Sequence, residues 1–293
     1  MNSLKIIESL YKPFKITIKR GVNLIDCSEG RYVLKKENKD LFSLYSYLSK
    51  RGIEFYPSLI RNFNNEENLL EYLPSVNLPL EQYLDEMASS IALIHSKTVY
   101  NKNASLDEIK EIKENIESNI DYLNKRYQAL IKSILLHNFM NPKEYLFTRN
   151  YYKIQEALDF CKEEINNWFL LVKDNPNIRL CLIHNNLSID HFIVSEKKNA
   201  FISWDNYRFD IPMIDLVNLY KKENIDEYYS NFLNKYFSIF PYEDSEKKLL
   251  FILLSIPEYI NLEDDIDTIK LKINKVINTE KLIRPYYTKN KEK

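Results

Sequence analysis

Apolar and polar positions alternate along the first hundred residues in a way that predicts short strands. Phe14–Ile18 (FKITI) and Val22–Ile25 place apolar residues at every second position, the period of a half-buried strand. Ser28-Glu29-Gly30 supplies a turn, and Arg31–Lys35 (RYVLK) predicts the next strand, so this part reads as an antiparallel meander. Leu41, Leu44, Tyr45 and Leu48 then switch to helical spacing, with Gly52 stopping the helix. Tyr56-Pro57, Leu59-Ile60 and Asn68–Leu73 add strand material up to Pro74.

After Pro79 the pattern turns helical. Leu80, Leu84, Met87, Ile91, Ile94 and His95 share one helical face. Ser105-Leu106-Asp107-Glu108 has the form of a capping box. Behind it, Ile109, Ile112, Ile116, Ile120, Leu123, Tyr127, Leu130 and Ile134 recur at intervals of three and four. That stripe fits either a coiled-coil seam or a long helix packed against its own domain. Pro142 is expected to end this stretch, and Tyr152–Leu171 to resume a helix. Then Arg179–Ile183 predicts an apolar strand, His184–Asp190 a polar loop, and His191–Val194 and Ala200–Trp204 two strands joined by Lys197-Lys198-Asn199. Helices are expected over Ile214–Tyr220, Ile225–Phe240, Lys247–Leu254 and Ile266–Val276, with a frayed charged tail, Lys289–Lys293.

Composition narrows the function. The chain has 293 residues, 45% hydrophobic and 28% charged, as folded soluble proteins do. Its 41 basic and 42 acidic side chains argue against a nucleic-acid binder, which shows a basic excess or stripe. Three glycines leave little material for a Gly-rich phosphate loop. Cys27, Cys161 and Cys181 are odd in number and widely spaced, so neither a disulfide framework nor a zinc site is expected, and a reducing, cytoplasmic setting is. Glu8, Lys12 and Lys15 interrupt any signal-peptide core, and Leu249–Ile256 is too short to span a bilayer. The 22 Tyr and 15 Phe raise the idea of an adhesive surface, although Tyr also accompanies Asn/Lys/Ile-rich sequences in general.

Five motifs occur in register. They are Val33-Leu34-Lys35, Ile91-Ala92-Leu93-Ile94-His95, His184-Asn185-Asn186 leading to His191, Ile202-Ser203-Trp204-Asp205, and Asp215-Leu216-Val217. In order and spacing they resemble the kinase-like fold of the aminoglycoside and choline phosphotransferases, most of all the spore-coat kinase-like proteins of the CotS type. The resemblance covers nearly the whole chain. It implies a two-lobed α+β protein-kinase-like fold, with a small antiparallel-sheet lobe over residues 1–73. A larger helical lobe would follow over 74–293, carrying a catalytic-loop-like hairpin over 179–205.

The same likeness implies that the reactive positions are altered. The catalytic base falls on Asn186, whose carboxamide has no basic site near pH 7. The two metal positions fall on His191, whose nitrogen suits transition metals better than Mg²⁺, and on Ser203, a neutral hydroxyl. Asp190 and Asp205 lie nearby, and a shifted register returns two carboxylates to the cleft; Ser203 and Asp205 share a face if the segment is a strand. Lys35 is the position that would pair nucleotide phosphates, with Val33 and the linker Glu71–Leu73 as further nucleotide contacts. A solvated surface lysine is the competing reading. No acid lies within Leu41–Leu48 to pair it, leaving Glu37 or Asp40. His184 and Asp215 are expected to brace the loop, His95 to be a satisfied core histidine, and Trp204 to sit in the core.

These readings imply a pseudokinase with a structural or scaffolding role, such as spore-coat assembly, whose partners are other proteins and not nucleic acid, with no membrane span. ATP, with or without Mg²⁺, is the cofactor to be tested. The alternatives are an active ATP-dependent small-molecule phosphotransferase with a non-standard metal site, and an ATP-sensing regulator.

Overall fold

The structure is a computed structural model, describing residues 3–19, 21–36, 39–63 and 67–288. Glu37 and the tail from Lys289 lie outside the described residues. The elements begin with α1 (Ser3–Tyr11), β1 (Lys15–Lys19), β2 (Val22–Cys27), β3 (Gly30–Lys36), α2 (Leu41–Ser49), β4 (Leu59–Phe63) and β5 (Glu67–Glu71). They continue with α3 (Leu80–Thr98), β6 (Tyr100–Asn103), α4 (Leu106–Ile134), α5 (Pro142–Val172), β7 (Asn177–Ile183), β8 (Phe192–Ile193), β9 (Ala200–Phe201) and β10 (Arg208–Asp210). The last four are α6 (Met213–Lys222), α7 (Asp226–Ile239), α8 (Asp244–Ser255) and α9 (Ile266–Thr288). Short 3-10 turns cover Ile189–His191 and Trp204–Asn206.

The chain divides into two compact units. The first comprises Met1–Val99, Cys181–Leu219 and Ser238–Phe240; the second comprises Tyr100–Leu180, Tyr220–Phe237 and Pro241–Lys293.

In the first unit a five-stranded antiparallel sheet runs in the order β1-β2-β3-β5-β4. Period-two alternation gives it two different faces. Ile25, Leu34 and Leu69 are buried on one face, together with Ile7 of α1. Residues one step out of phase, Val33, Lys35 and their register partners Leu70 and Asn68, occupy the opposite face. Leu41, Leu44, Tyr45 and Leu48 are all buried along α2, and Gly52 beyond its end has φ +63°, a conformation costly for any residue with a side chain. In α3, Leu84, Met87, Ile91, Ile94 and His95 form the buried face, while Leu80 at the start is 38% exposed.

The second unit is helical. The long stripe of α4 packs against α5 of the same unit, which selects the single-domain reading over a coiled-coil seam. Ser105 and Glu108 form the expected reciprocal cap. Pro142 plays the opposite part from that expected: it begins α5. Asn141 caps that helix through its side chain, Glu144 closes the box, and Pro142 at the first turn loses no hydrogen bond. Helices α8 and α9 pack on α5, burying Ile154, Leu158, Ile165, Leu250 and Ile252.

Candidate functional site

All the residues singled out by the motifs lie in the first unit. Alternation on β3 aims Val33 and Lys35 away from α1, and Lys35 meets the segment after β9. Its Nζ donates to Ser203 Oγ at 3.2 Å and lies 3.6 Å from Asp205 Oδ2. The segment is not the strand expected over Ala200–Trp204. Strand β9 stops at Phe201, and Ser203 takes a left-handed conformation (φ 63°, ψ 52°) before the 3-10 turn at Trp204. A serine in that region carries about 1 kcal/mol or more of strain. The turn, not strand alternation, lets one ammonium reach both side chains.

The loop between β7 and β8 is built from buried polar pairs. Asp215, fully buried on α6, accepts the backbone N–H groups of His184 and Asn185, each at 2.7 Å, and lies 3.2 Å from His95 Nε2. Asn185 is left-handed there (φ 57°), which asparagine tolerates. His184 is also fully buried; its Nε2–H donates to the Ile202 carbonyl at 2.9 Å and its ring packs 4.6 Å from Trp204. Burial pushes the His184 pKa down in spite of Asp215, which keeps the ring neutral and matches its unpartnered Nδ1. Tyr83 of α3 donates its hydroxyl to Ile189 O at 2.9 Å and also touches Phe192 O. His191 donates Nδ1–H to the carbonyl of Asn186 at 2.8 Å, so these two loop residues hold one another.

Asn186, His191 and Ser203 are half-buried, while Asp190 is exposed on its 3-10 turn. Asp40 caps α2 by accepting from the Phe42 and Ser43 N–H groups, a role within that helix. Glu71 at the end of β5 is gripped by Lys197 and Lys198 of the β8–β9 turn, and accepts from Ser58 N–H. Burial would raise its pKa, but the Lys197 and Ser58 hydrogen bonds and the Lys198 charge outweigh it and hold the carboxyl at about 2. The Glu71 and Tyr72 N–H groups donate to Ser58 O and Arg31 O, and Leu73 is buried.

Sequence reasoning missed Tyr83 and Asn68 here, and it quoted Asn185 in the loop motif without giving it a role. Asn68 is the register partner of Lys35; it is fully buried, accepts from Asn62 Nδ2 at 2.8 Å, and its own Nδ2 has no hydrogen-bond partner. Only Asn185 carried a signal, an asparagine beside the loop histidine where a left-handed residue is common.

The donor set is a poor match for Mg²⁺. That ion takes charged oxygens in near-octahedral geometry. Here one carboxylate, Asp205, shares an ammonium with the Ser203 hydroxyl, and the His191 imidazole is bonded to the Asn186 carbonyl. Among the described residues no group of three or more His, Cys, Asp or Glu side chains gathers as a metal site.

The chain has the mixed α+β, protein-kinase-like fold of the phosphotransferases: a five-stranded antiparallel sheet in its N-terminal part and a helical C-terminal part. It is similar to an aminoglycoside phosphotransferase from Alicyclobacillus acidocaldarius, with 10% identity, TM-score 0.69, and 97% of this chain and 92% of that one covered. An AMP-bound spectinomycin phosphotransferase matches at 13% identity and TM-score 0.50, covering 98% and 93%. A choline kinase from Streptococcus pneumoniae matches at 16% identity and TM-score 0.48, covering 96% and 97%. At these identities the likeness is one of fold. No family model matches the sequence, and no curated protein matches it in sequence. Among the described residues no helix is long and apolar enough to cross a membrane.

Proposed function

We propose that this protein is a pseudokinase: a kinase-shaped chain without phosphoryl transfer that serves as a structural or scaffolding component of a protein assembly. The spore-coat likeness of its motifs supports the assembly role. The observation that carries the loss of catalysis is the pairing of Lys35 with Ser203 and Asp205. Where phosphoryl transfer needs a proton acceptor and anionic metal ligands, this loop offers the Asn186 amide, the His191 imidazole and the Ser203 hydroxyl. The Asp205 carboxylate that remains is already beside an ammonium ion.

A second reading, an ATP-sensing regulator, draws support from the face shared by Val33, Lys35 and Asn68, whose Nδ2 has no hydrogen-bond partner. Thermal shift with ATP, in the presence and absence of Mg²⁺, separates the readings, because ligand at 100 times Kd adds about 2.7 kcal/mol of stability. The scaffold gives no shift, and the sensor gives a Mg²⁺-independent one abolished by Lys35→Ala. A Mg²⁺-dependent shift with ATP turnover, lost in Asp205→Ala, would replace both with an active phosphotransferase.

A further inference from the structure

The turn between α4 and α5, in the second unit, carries an unusual cluster. Leu136 and Phe139, at 85% and 91% exposure, are the two most exposed large apolar side chains among the described residues, and Leu135 (64%) and Met140 (37%) flank them. The change is abrupt, because Ile134 is 1% exposed and Phe147 is fully buried. Nor is the turn loosely held. Leu135, Leu136 and His137 donate their N–H groups to Ile131, Ser133 and Ile134 carbonyls. His137 Nδ1 lies 2.9 Å from Glu144 Oε1, and Glu144 Oε2 accepts the Asn141 N–H at 2.8 Å. These bonds fix the apolar side chains outward.

Charge at this end of the hairpin is one-sided. From Tyr122 to Lys143 the sequence contains Lys125, Arg126, Lys132 and Lys143 and no Asp or Glu, in a chain of net charge −1. Glu144 is buried beneath His137. The acids Glu263, Asp264 and Asp265 follow Leu262, whose carbonyl Lys143 reaches at 3.3 Å; Asp264 is itself paired with Lys272 at 2.8 Å. They offset part of the positive charge, which leaves apolar insertion the larger share of any affinity. The feature is a convex tip, and the unit also holds cavities of about 380 and 420 Å³ whose walls mix charged and apolar groups, Lys153 and Glu280 with Phe160 and Ile283 in one and Lys247 with Phe251 in the other. An apolar convex tip flanked by cations matches the boundary between acyl chains and anionic headgroups.

We propose that the α4–α5 turn is a peripheral membrane anchor: Leu135, Leu136 and Phe139 enter the surface of an anionic bilayer while Lys132 and Lys143 meet its headgroup phosphates. The inference stands independently of the reading of the kinase-like loop. Its test is flotation of the full chain with vesicles of phosphatidylcholine and phosphatidylglycerol in equal parts, and with phosphatidylcholine alone. Binding to the mixed vesicles is expected to fall at least about tenfold in Leu136→Glu/Phe139→Glu, which removes two inserting side chains. Lys132→Glu/Lys143→Glu should weaken it severalfold, in step with added salt. Lys132, Leu136 and Phe139 are exposed, and Lys143 is half-buried with its Nζ on the Leu262 carbonyl, so an unchanged melting temperature verifies folding of each variant. Failure of the parent to float with anionic vesicles, or flotation untouched by Leu136→Glu/Phe139→Glu, overturns the proposal. So does sedimentation showing a dimer that the same double variant dissociates, which would make the occupant a second copy.

Discussion

Two sets of side chains share the segment from His184 to Asp215, and they differ in almost every physical respect. His184, Trp204 and Asp215, with His95 from α3, are fully buried and bonded or packed to one another. Asn186, His191 and Ser203 are half-buried, and Asp205 shares the Lys35 ammonium with Ser203. The first set fixes the path of the backbone; the second holds the residues that the proposed reading places at the reactive positions. The comparison teaches that the loop's shape rests on the buried set, so a kinase-like loop can persist whatever its reactive positions hold.

The sharpest way to break the comparison is Asp215→Ala. It strands the His184 and Asn185 N–H groups and the His95 ring in a buried site, and is expected to cost about 3–5 kcal/mol in urea unfolding. Matched alanine substitutions at Asn186 and Ser203 should each change stability by less than about 1 kcal/mol. If the two groups cost the same, the division between bracing and reactive positions fails. Tyr83→Phe comes next. It leaves the Ile189 carbonyl without its hydroxyl donor and should cost about 1–2 kcal/mol by the same measurement.

A smaller effect than at Tyr83 is expected at Glu71. Its folded pKa, about 2, is below the ordinary 4.5, so its ion pairs stabilise the fold fully above pH 4.5, and that stability disappears as pH falls toward 2. Lys197 is 71% exposed, so water screens much of the interaction and about 1 kcal/mol is expected. Glu71→Gln should flatten the acid limb of the stability curve; an unchanged limb would show that the grip of Lys197 and Lys198 contributes nothing.

Much of the architecture was readable before any coordinates. Leu41, Leu44, Tyr45 and Leu48 announced a helix because their spacing matches a buried stripe, and Ser105 with Glu108 announced the start of another. Strands whose pairing comes from a neighbour were not readable. Tyr100–Asn103 is entirely exposed and polar but for Tyr100, and Arg208–Asp210 is too short to show a period; both are strands because β7 pairs with them. Pro142 misled because proline both stops helices and starts them, and only Asn141 and Glu144 around it decide which. For the candidate site, Lys35, Ser203 and Asp205 were named from motifs, and the structure brings them together. Asn68 was invisible because its relation to Lys35 is a cross-strand register, set by sheet pairing rather than by spacing along the chain.

The central claim, a kinase-shaped loop without the groups for phosphoryl transfer, is tested most directly by calorimetric titration of Mg²⁺ with ATP. The parent is to be compared with Asn186→Asp/Ser203→Asp, which supplies the missing carboxylates. The account predicts no Mg²⁺-dependent heat and no ADP formation for the parent, and a gain of Mg²⁺ binding in the variant. A parent that binds Mg²⁺ together with ATP and turns it over would contradict it.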